Sequence, residues 1–191
     1  MLSIYCSGSI MKGSADERKL CWSDEERKQV QEGARPEEIV FLNPDDPITD
    51  PNNFLGQFGR DMYQIMIASA IVVDARERRG IGIGVEMAAA AAMGTPIIVV
   101  APRNSKYRTD VLEYRGVAIK DYIHPHVHSL AFAVVDSFAK SGKVLQTIEP
   151  TASRRRSVPA WLEPAISEYE TNVLFQDAPM VEAMRHLGIS S

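Results

Sequence analysis

The sequence predicts an α/β fold: a Rossmann-like parallel sheet of about five strands with helices on both faces, followed by a C-terminal helical tail. Two observations predict it. Short apolar segments alternate with segments of helical spacing, which is the pattern of repeated β-α units. The chain has 191 residues, 45% of them hydrophobic, so it is long enough to bury a core of its own. We expect residues 1–148 to form the domain, and residues 149–191 to form a linker and a helical tail packed on the domain or on a neighbouring subunit.

Each element follows from a local pattern. Helical spacing of Phe58, Met62 and Ile65 predicts a helix before the third strand, and the alanine-rich run that stops at Gly94 predicts another. In the tail, Trp161, Leu162, Ile166, Tyr169, Val173 and Leu174 have near-helical spacing. The predicted strands are residues 2–6, 39–42, 70–74, 96–101 and 117–119. The predicted helices of the domain are residues 16–32, 58–69, 85–93 and 130–141.

Composition narrows the classes of partner. A net charge of -4 supplies no global attraction for nucleic acid or for an anionic membrane, and no apolar run is long enough for a membrane helix. Two cysteines fit a reducing compartment, so we expect a cytoplasmic protein. His124, His126 and His128 alternate on what we predict to be an extended segment, without a carboxylate or cysteine partner. We therefore expect a surface histidine cluster, no metal and no cofactor.

The segment Gly80-Ile81-Gly82-Ile83-Gly84-Val85-Glu86 follows the third predicted strand, at the edge where parallel sheets bind ligands. We predict a glycine-rich loop with Glu86 in the first turn of the next helix. The helix dipole would lower the pKa of Glu86 there, which suits a nucleophile. Spacing alone slightly favours a plainer interpretation, a tight turn and a helix-start acid. The glycines lack the interval of a dinucleotide fingerprint, which argues against NAD.

A second carboxylate and the first loop add to this edge. We predict Asp61 near the N-terminus of its helix, where it would be the second acid that glycosidic chemistry requires. An acid stabilised by the helix dipole is an equally common explanation. The loop after the first strand offers Ser9 and Lys12, which could hold a phosphate, although such loops are more often simple connections.

Four segments together resemble the nucleoside 2-deoxyribosyltransferase superfamily over about residues 1–140. They are Ile4-Tyr5-Cys6-Ser7-Gly8-Ser9-Ile10, Asp61 before Ile71-Val72-Val73, Gly82-Ile83-Gly84-Val85-Glu86-Met87, and Gly94-Thr95-Pro96. The opening looks closest to the 2'-deoxynucleoside 5'-phosphate N-hydrolase branch. That branch usually has an arginine just after G-S-I, where this chain has Met11 and then Lys12.

The resemblance implies roles for individual residues. Glu86 would attack the anomeric carbon, Asp61 would assist the departing base, and Tyr5 would lie near the sugar. Residues 1–148 would then be the catalytic domain. The substrate-binding residues that we expect are Gly8, Ser9, Ile10, Lys12, Asn43, Asp45, Gly82, Gly84 and Ser105.

The function implied by the resemblance is a nucleotide N-hydrolase that releases a free base and a sugar phosphate through a glycosyl ester of Glu86. Two alternatives stay open. One is a nucleoside 2-deoxyribosyltransferase that exchanges bases on 2'-deoxyribose, and the other is a non-catalytic nucleotide sensor. The expected partner is a small nucleoside or nucleotide. Because the family builds active sites at subunit interfaces, we also expect a homodimer or a higher homo-oligomer.

Overall fold

The computed structural model describes residues 1–9, 21–46, 48–77, 80–150 and 156–189. Its centre is a five-stranded parallel sheet with the strand order β2-β1-β3-β4-β7. In the register of β1, the second strand of the sheet, Tyr5 lies opposite Leu42 on one side and opposite Ile71 on the other. The five strands are β1 (Leu2–Ser7), β2 (Ile39–Leu42), β3 (Ala70–Asp74), β4 (Ile97–Val100) and β7 (Ala133–Val135).

Helices cover both faces of this sheet. The domain's helices are α1 (Asp24–Ala34), α2 (Phe54–Ile67), α3 (Ile81–Met93), α4 (Pro125–Leu130) and α5 (Phe138–Leu145). Successive side chains of β1 point to opposite faces of the sheet. Ile4 and Cys6 lie on the face covered by α1 and α5, and Tyr5 lies on the face covered by α2 and α3. The predicted Rossmann-like α/β fold is confirmed.

The predicted last β-α unit is wrong. Residues 108–123 form an antiparallel hairpin, β5 (Arg108–Tyr114) and β6 (Val117–Ile123), which lies outside the parallel sheet. Arg115 and Gly116 both have positive φ, as the type I′ hairpin turn requires. The fifth sheet strand is instead β7, which interrupts the helix predicted over residues 130–141. Ser137 then caps α5 by accepting a hydrogen bond from the backbone of Lys140.

Helix starts also differ from the prediction. Helix α1 begins at Asp24 because Ser23 and Glu26 form a capping box; the predicted start at residue 16 lies outside the described residues. Helix α2 begins at Phe54, since Asn53 caps the backbone N–H of Gly56. Helix α3 begins at Ile81 rather than at residue 85.

The C-terminal segment packs on its own chain. It forms α6 (Glu163–Asn172), a 3-10 turn (Leu174–Gln176) and α7 (Ala178–His186). Leu162, Ile166 and Tyr169 are buried in the same cluster as α2 and α3, whereas Trp161 is exposed. Helices α2 and α6 touch closely, since a Cβ on Gly59 would lie 1.9 Å from the carbonyl oxygen of Ala165. In the described part of the chain, we find no helix with the length and apolarity to cross a membrane.

Candidate active site

Strand β1, an interior strand of the sheet, contributes two hydroxyls to the face beneath α2 and α3. Tyr5 and Ser7 are two positions apart, so their side chains point to the same face of the sheet. Both residues are fully buried. Ser7 is the last residue of β1, which places its hydroxyl at the carboxyl edge of the parallel sheet, where such folds bind ligands.

Glu86 on α3 accepts hydrogen bonds from both hydroxyls. The Ser7 hydroxyl donates to Oε2 at 2.5 Å, and the Tyr5 hydroxyl donates to Oε1 at 3.2 Å. Burial raises the pKa of Glu86, and the two hydrogen bonds oppose that rise. Tyr5 stays a donor, because burial and the nearby carboxylates Asp61 and Glu86 raise its pKa well above the usual value.

Glu86 differs in two respects from the prediction. It is the sixth residue of α3 and lies in the second turn, not the first. The field of a helix terminus fades beyond the first turn, so burial outweighs it and the pKa is raised rather than lowered. Gly82 and Gly84 are helical residues and not part of a loop, because packing of Ile83 and Met87 extends α3 toward its N-terminus despite the low helix propensity of glycine.

Asp61 lies in the middle of α2, not near its N-terminus. It is the eighth of the fourteen residues of α2. At that distance from the start of the helix, the helix dipole does not stabilise its charge, and its place in the helix does not put it at the ligand-binding edge of the sheet. Its Oδ1 atom is shielded from solvent and has no hydrogen-bond partner among the described residues. Burial raises the pKa of Asp61 well above its usual value and the charge of Glu86 raises it further, while Arg60 and Tyr5 oppose the rise.

The two carboxyl groups therefore have unequal surroundings. Glu86 receives hydrogen bonds from Ser7 and Tyr5 that favour its ionised form, whereas Oδ1 of Asp61 has no partner among the described residues and Asp61 gains such support from Tyr5 alone. Two interacting carboxyl groups share their protons unequally, and the group with more donors loses its proton first. Of the two carboxyl groups, Asp61 therefore has the more strongly raised pKa, and the hydrogen bonds to Glu86 limit the rise there.

The loop after β2 reaches the same region through its backbone. Arg60 donates from Nη1 to the carbonyl oxygens of Asn43 and Asp45, both at 3.1 Å. The Oδ1 atom of Asn43 accepts from the backbone N–H of Cys21 at 3.2 Å. The backbone of Asn43 and Asp45 is therefore hydrogen-bonded to α2 through Arg60, the residue that precedes Asp61.

The other predicted binding residues are more scattered. A Cβ on Gly8 would lie 2.6 Å from Sγ of Cys21, so the glycine lets that residue pack against the end of β1. Ser9 is exposed, while Ile10 and Lys12 lie outside the described residues. Ser105 pairs with Arg108 at the base of the hairpin.

A cavity of about 540 Å³ lies beside the start of α3, and Gly84, His124 and His126 are among its lining residues, whereas Glu86 is not. Gly82 and Gly84 are exposed, and an added Cβ on either would meet nothing within 4 Å. The three histidines are not on an extended segment. His124 occupies the N-cap position of α4, and the other two lie in that helix.

Two residues of the candidate site, Ser7 and Arg60, were not predicted from the sequence. Ser7 could have been found, because the two-residue period of β1 places it on the side of Tyr5. Arg60 gives no such signal, since a lone arginine in an amphipathic helix is normally solvated. Comparisons of the chain with protein-family models, curated proteins and solved structures return no match.

Proposed function

We propose that this protein cleaves the N-glycosidic bond of a nucleoside 5'-monophosphate and releases the free base and a sugar phosphate. The observation that carries the proposal is the unequal hydrogen bonding of two neighbouring carboxyl groups, Glu86 and Asp61. Glycosidic cleavage needs one ionised carboxylate and one protonated carboxyl group, and different surroundings are how proteins produce that pair.

The chemistry follows from those two states. The ionised Glu86 attacks C1' of the sugar while the C1'–N bond breaks. The electron pair of the C1'–N bond leaves with the base nitrogen. Asp61 gives its proton to the departing base. Water then attacks C1' of the glycosyl ester, Asp61 takes a proton from that water, and the Glu86 carboxylate is released. Ser7 and Tyr5 hold the Glu86 carboxylate in one orientation throughout.

The 5'-phosphate in this proposal comes from the resemblance of the first loop, with Gly8, Ser9, Ile10 and Lys12 as the proposed contacts. A base exchange on 2'-deoxyribose would use the same two carboxyl groups, and only the acceptor would differ. A silent nucleotide sensor would have no use for a protonated acid beside an ionised nucleophile. The two carboxyl states therefore favour an enzyme over a sensor.

The test is incubation of the full chain with a panel of nucleosides and nucleoside monophosphates, followed by chromatography of the free base. Release from monophosphates in water supports the hydrolase. Turnover only after addition of a second free base would replace it with the transferase, and tight binding without turnover would replace it with the sensor. Glu86→Gln should abolish release, whereas Glu113→Gln, on the exposed β5 strand, should leave it unchanged.

Covalent catalysis has its own test. A 2'-fluoro nucleotide slows the second step, so the intact protein should gain the mass of the fluorinated sugar phosphate. Peptide mapping should place this adduct on Glu86. An adduct on another residue, or turnover with no adduct, would contradict the role of Glu86 as nucleophile.

The homo-oligomer also stays part of the proposal. The resemblance implies active sites at subunit interfaces. Light scattering should therefore give the molar mass of a dimer or a larger assembly at the concentrations at which the protein is active. A fully active monomer would refute this part and leave the chemistry standing.

A further inference from the structure

A fully buried arginine lies next to Asp61 in α2. Arg60 is 1% exposed. Its Nε donates to Oδ2 of Asp177 at 2.6 Å, and its Nη1 donates to two backbone carbonyls of the loop after β2. A buried guanidinium needs both a counter-charge and hydrogen-bond acceptors, and this one receives them from two different segments of the chain.

The counter-charge comes from the C-terminal helices. Asp177 is fully buried just before α7, and its Oδ1 caps that helix by accepting from the backbone of Met180 at 3.1 Å. Its Oδ2, which accepts from Arg60, also accepts from the Tyr169 hydroxyl at 2.8 Å. Asp177 is therefore fixed by α6 and by α7, and it fixes the guanidinium in turn.

The other end of the guanidinium holds residues 43–46. Arg60 reaches the carbonyls of Asn43 and Asp45, and Gln64, one turn further along α2, donates to the Asn43 carbonyl at 3.2 Å. Asp46 lies 3.9 Å from Nε of Arg60. The backbone of this loop is thus attached to the helix that carries Asp61.

We infer that Arg60 and Asp177 are positioning residues of the candidate site. Asp177 holds Arg60, and Arg60 holds residues 43–46 and a fixed positive charge beside Asp61. The C-terminal helices are then part of the working site and not only a cover for the core. The structural half of this inference stands without the proposed function, whereas its kinetic consequence rests on that function.

The charge of Arg60 acts on Asp61 together with three other groups. Within the described ranges, the other titratable groups that act on Asp61 are Glu86 on α3, Tyr5 on β1 and Asp46 in the loop after β2, and Arg60 is the cation of this set. Since Asp177 compensates Arg60, removal of either charge should change the protonation of Asp61, but in opposite directions.

The test is a carbon-13 NMR titration of the Asp61 carboxyl group in the full chain. Asp177→Asn leaves Arg60 less compensated, so the pKa of Asp61 should fall. Arg60→Gln removes the nearby cation and leaves Asp46 and Asp177 in place, so the pKa of Asp61 should rise. Glu163→Gln removes a carboxylate at an exposed position of α6 and is the matched control, with no change expected.

Opposite shifts support the inference. Simple loosening of the site would move Asp61 toward the value of a free aspartate, about 3.9, in both single variants. Shifts in the same direction, or no shift, would overturn it. If a single variant fails to fold, Arg60→Gln combined with Asp177→Asn removes both charges of the closest buried ion pair together. This double variant should still raise the pKa of Asp61, because Arg60 acts on Asp61 directly whereas Asp177 acts through Arg60, and an unchanged value would overturn the inference.

Base release adds a kinetic readout. The pH profile of kcat should move in the same sense as the Asp61 titration, and Arg60→Gln should also raise KM by freeing residues 43–46. If no substrate is turned over at all, the proposed function fails while the NMR titration still decides the inference. If turnover is found but the Asp61 titration does not move, the inference fails alone.

Discussion

Removal of the Ser7 hydroxyl gives the sharpest test of how Glu86 is held. In Ser7→Ala, Oε2 of Glu86 loses the hydrogen bond that it accepts at 2.5 Å, and the bond from Tyr5 remains. A hydrogen bond to a charged group contributes about 1.5–3 kcal/mol. Loss of that stabilisation should increase the proton affinity of Glu86 about 10- to 100-fold, because 1.36 kcal/mol corresponds to a factor of ten. The pKa of Glu86, already raised by burial, should therefore rise further.

The assay is the rate of base release across pH, together with a carbon-13 NMR titration of Glu86 that needs no substrate. Below the titration of Glu86, the variant should be slower by the same factor as the change in proton affinity. Well above it the two rates should converge, because both proteins are then ionised. Ser129→Ala, at an exposed position of α4, is the control and should match the parent protein. An unchanged Glu86 titration in Ser7→Ala would refute the reasoning.

Three further changes give distinct outcomes. Tyr5→Phe removes the longer hydrogen bond, at 3.2 Å, so the pKa of Glu86 should rise by less than in Ser7→Ala, and the same titration measures it. Asp61→Asn should slow base release by about 10²- to 10⁴-fold if Asp61 is the proton donor. The pKa of Asp61 is raised in the folded state. The contribution of the Asp61 carboxyl group to stability is therefore fully present below about pH 3.9, and it is lost as the pH rises through the pKa of Asp61 in the folded protein. Denaturant melts should therefore show no advantage for Asp61→Asn at low pH and a higher midpoint than wild type at high pH, and the reverse order would contradict the raised pKa. Gly59→Ala should lower the free energy of unfolding by about 2 kcal/mol or more, because its Cβ would overlap the Ala165 carbonyl. Gly84→Ala, the matched control within α3, should stabilise by about 0.5–1 kcal/mol, and equal midpoints for the two glycine variants would argue against the close helix contact.

The parallel strands could be predicted because each is a short apolar run with a clear end. The run 117–119 has the same composition, yet it forms the exposed hairpin strand β6, since composition does not say which runs find a place in the sheet. The start of α3 was missed for a related reason. Gly80, Gly82 and Gly84 lower local helix propensity, and only packing against the core overrides it.

The candidate site also has residues that the sequence predicted and residues that it did not. Tyr5, Asp61 and Glu86 could be named from the resemblance, and the structure brings the three together. The position of Asp61 within α2 was wrong, because the helix starts at a cap that the spacing did not show. The contact of Arg60 with Asp177 joins residues 117 positions apart, and no local pattern in a single sequence encodes such a pair.

That long separation affects how the protein is made. A chain is synthesised from its N-terminus, so Arg60 leaves the ribosome well before Asp177 has been added. Until then the guanidinium has no buried counter-ion, and water remains its most favourable environment. The nascent protein can assemble its first strands early, but α2 reaches its final packing only after the last helices have emerged.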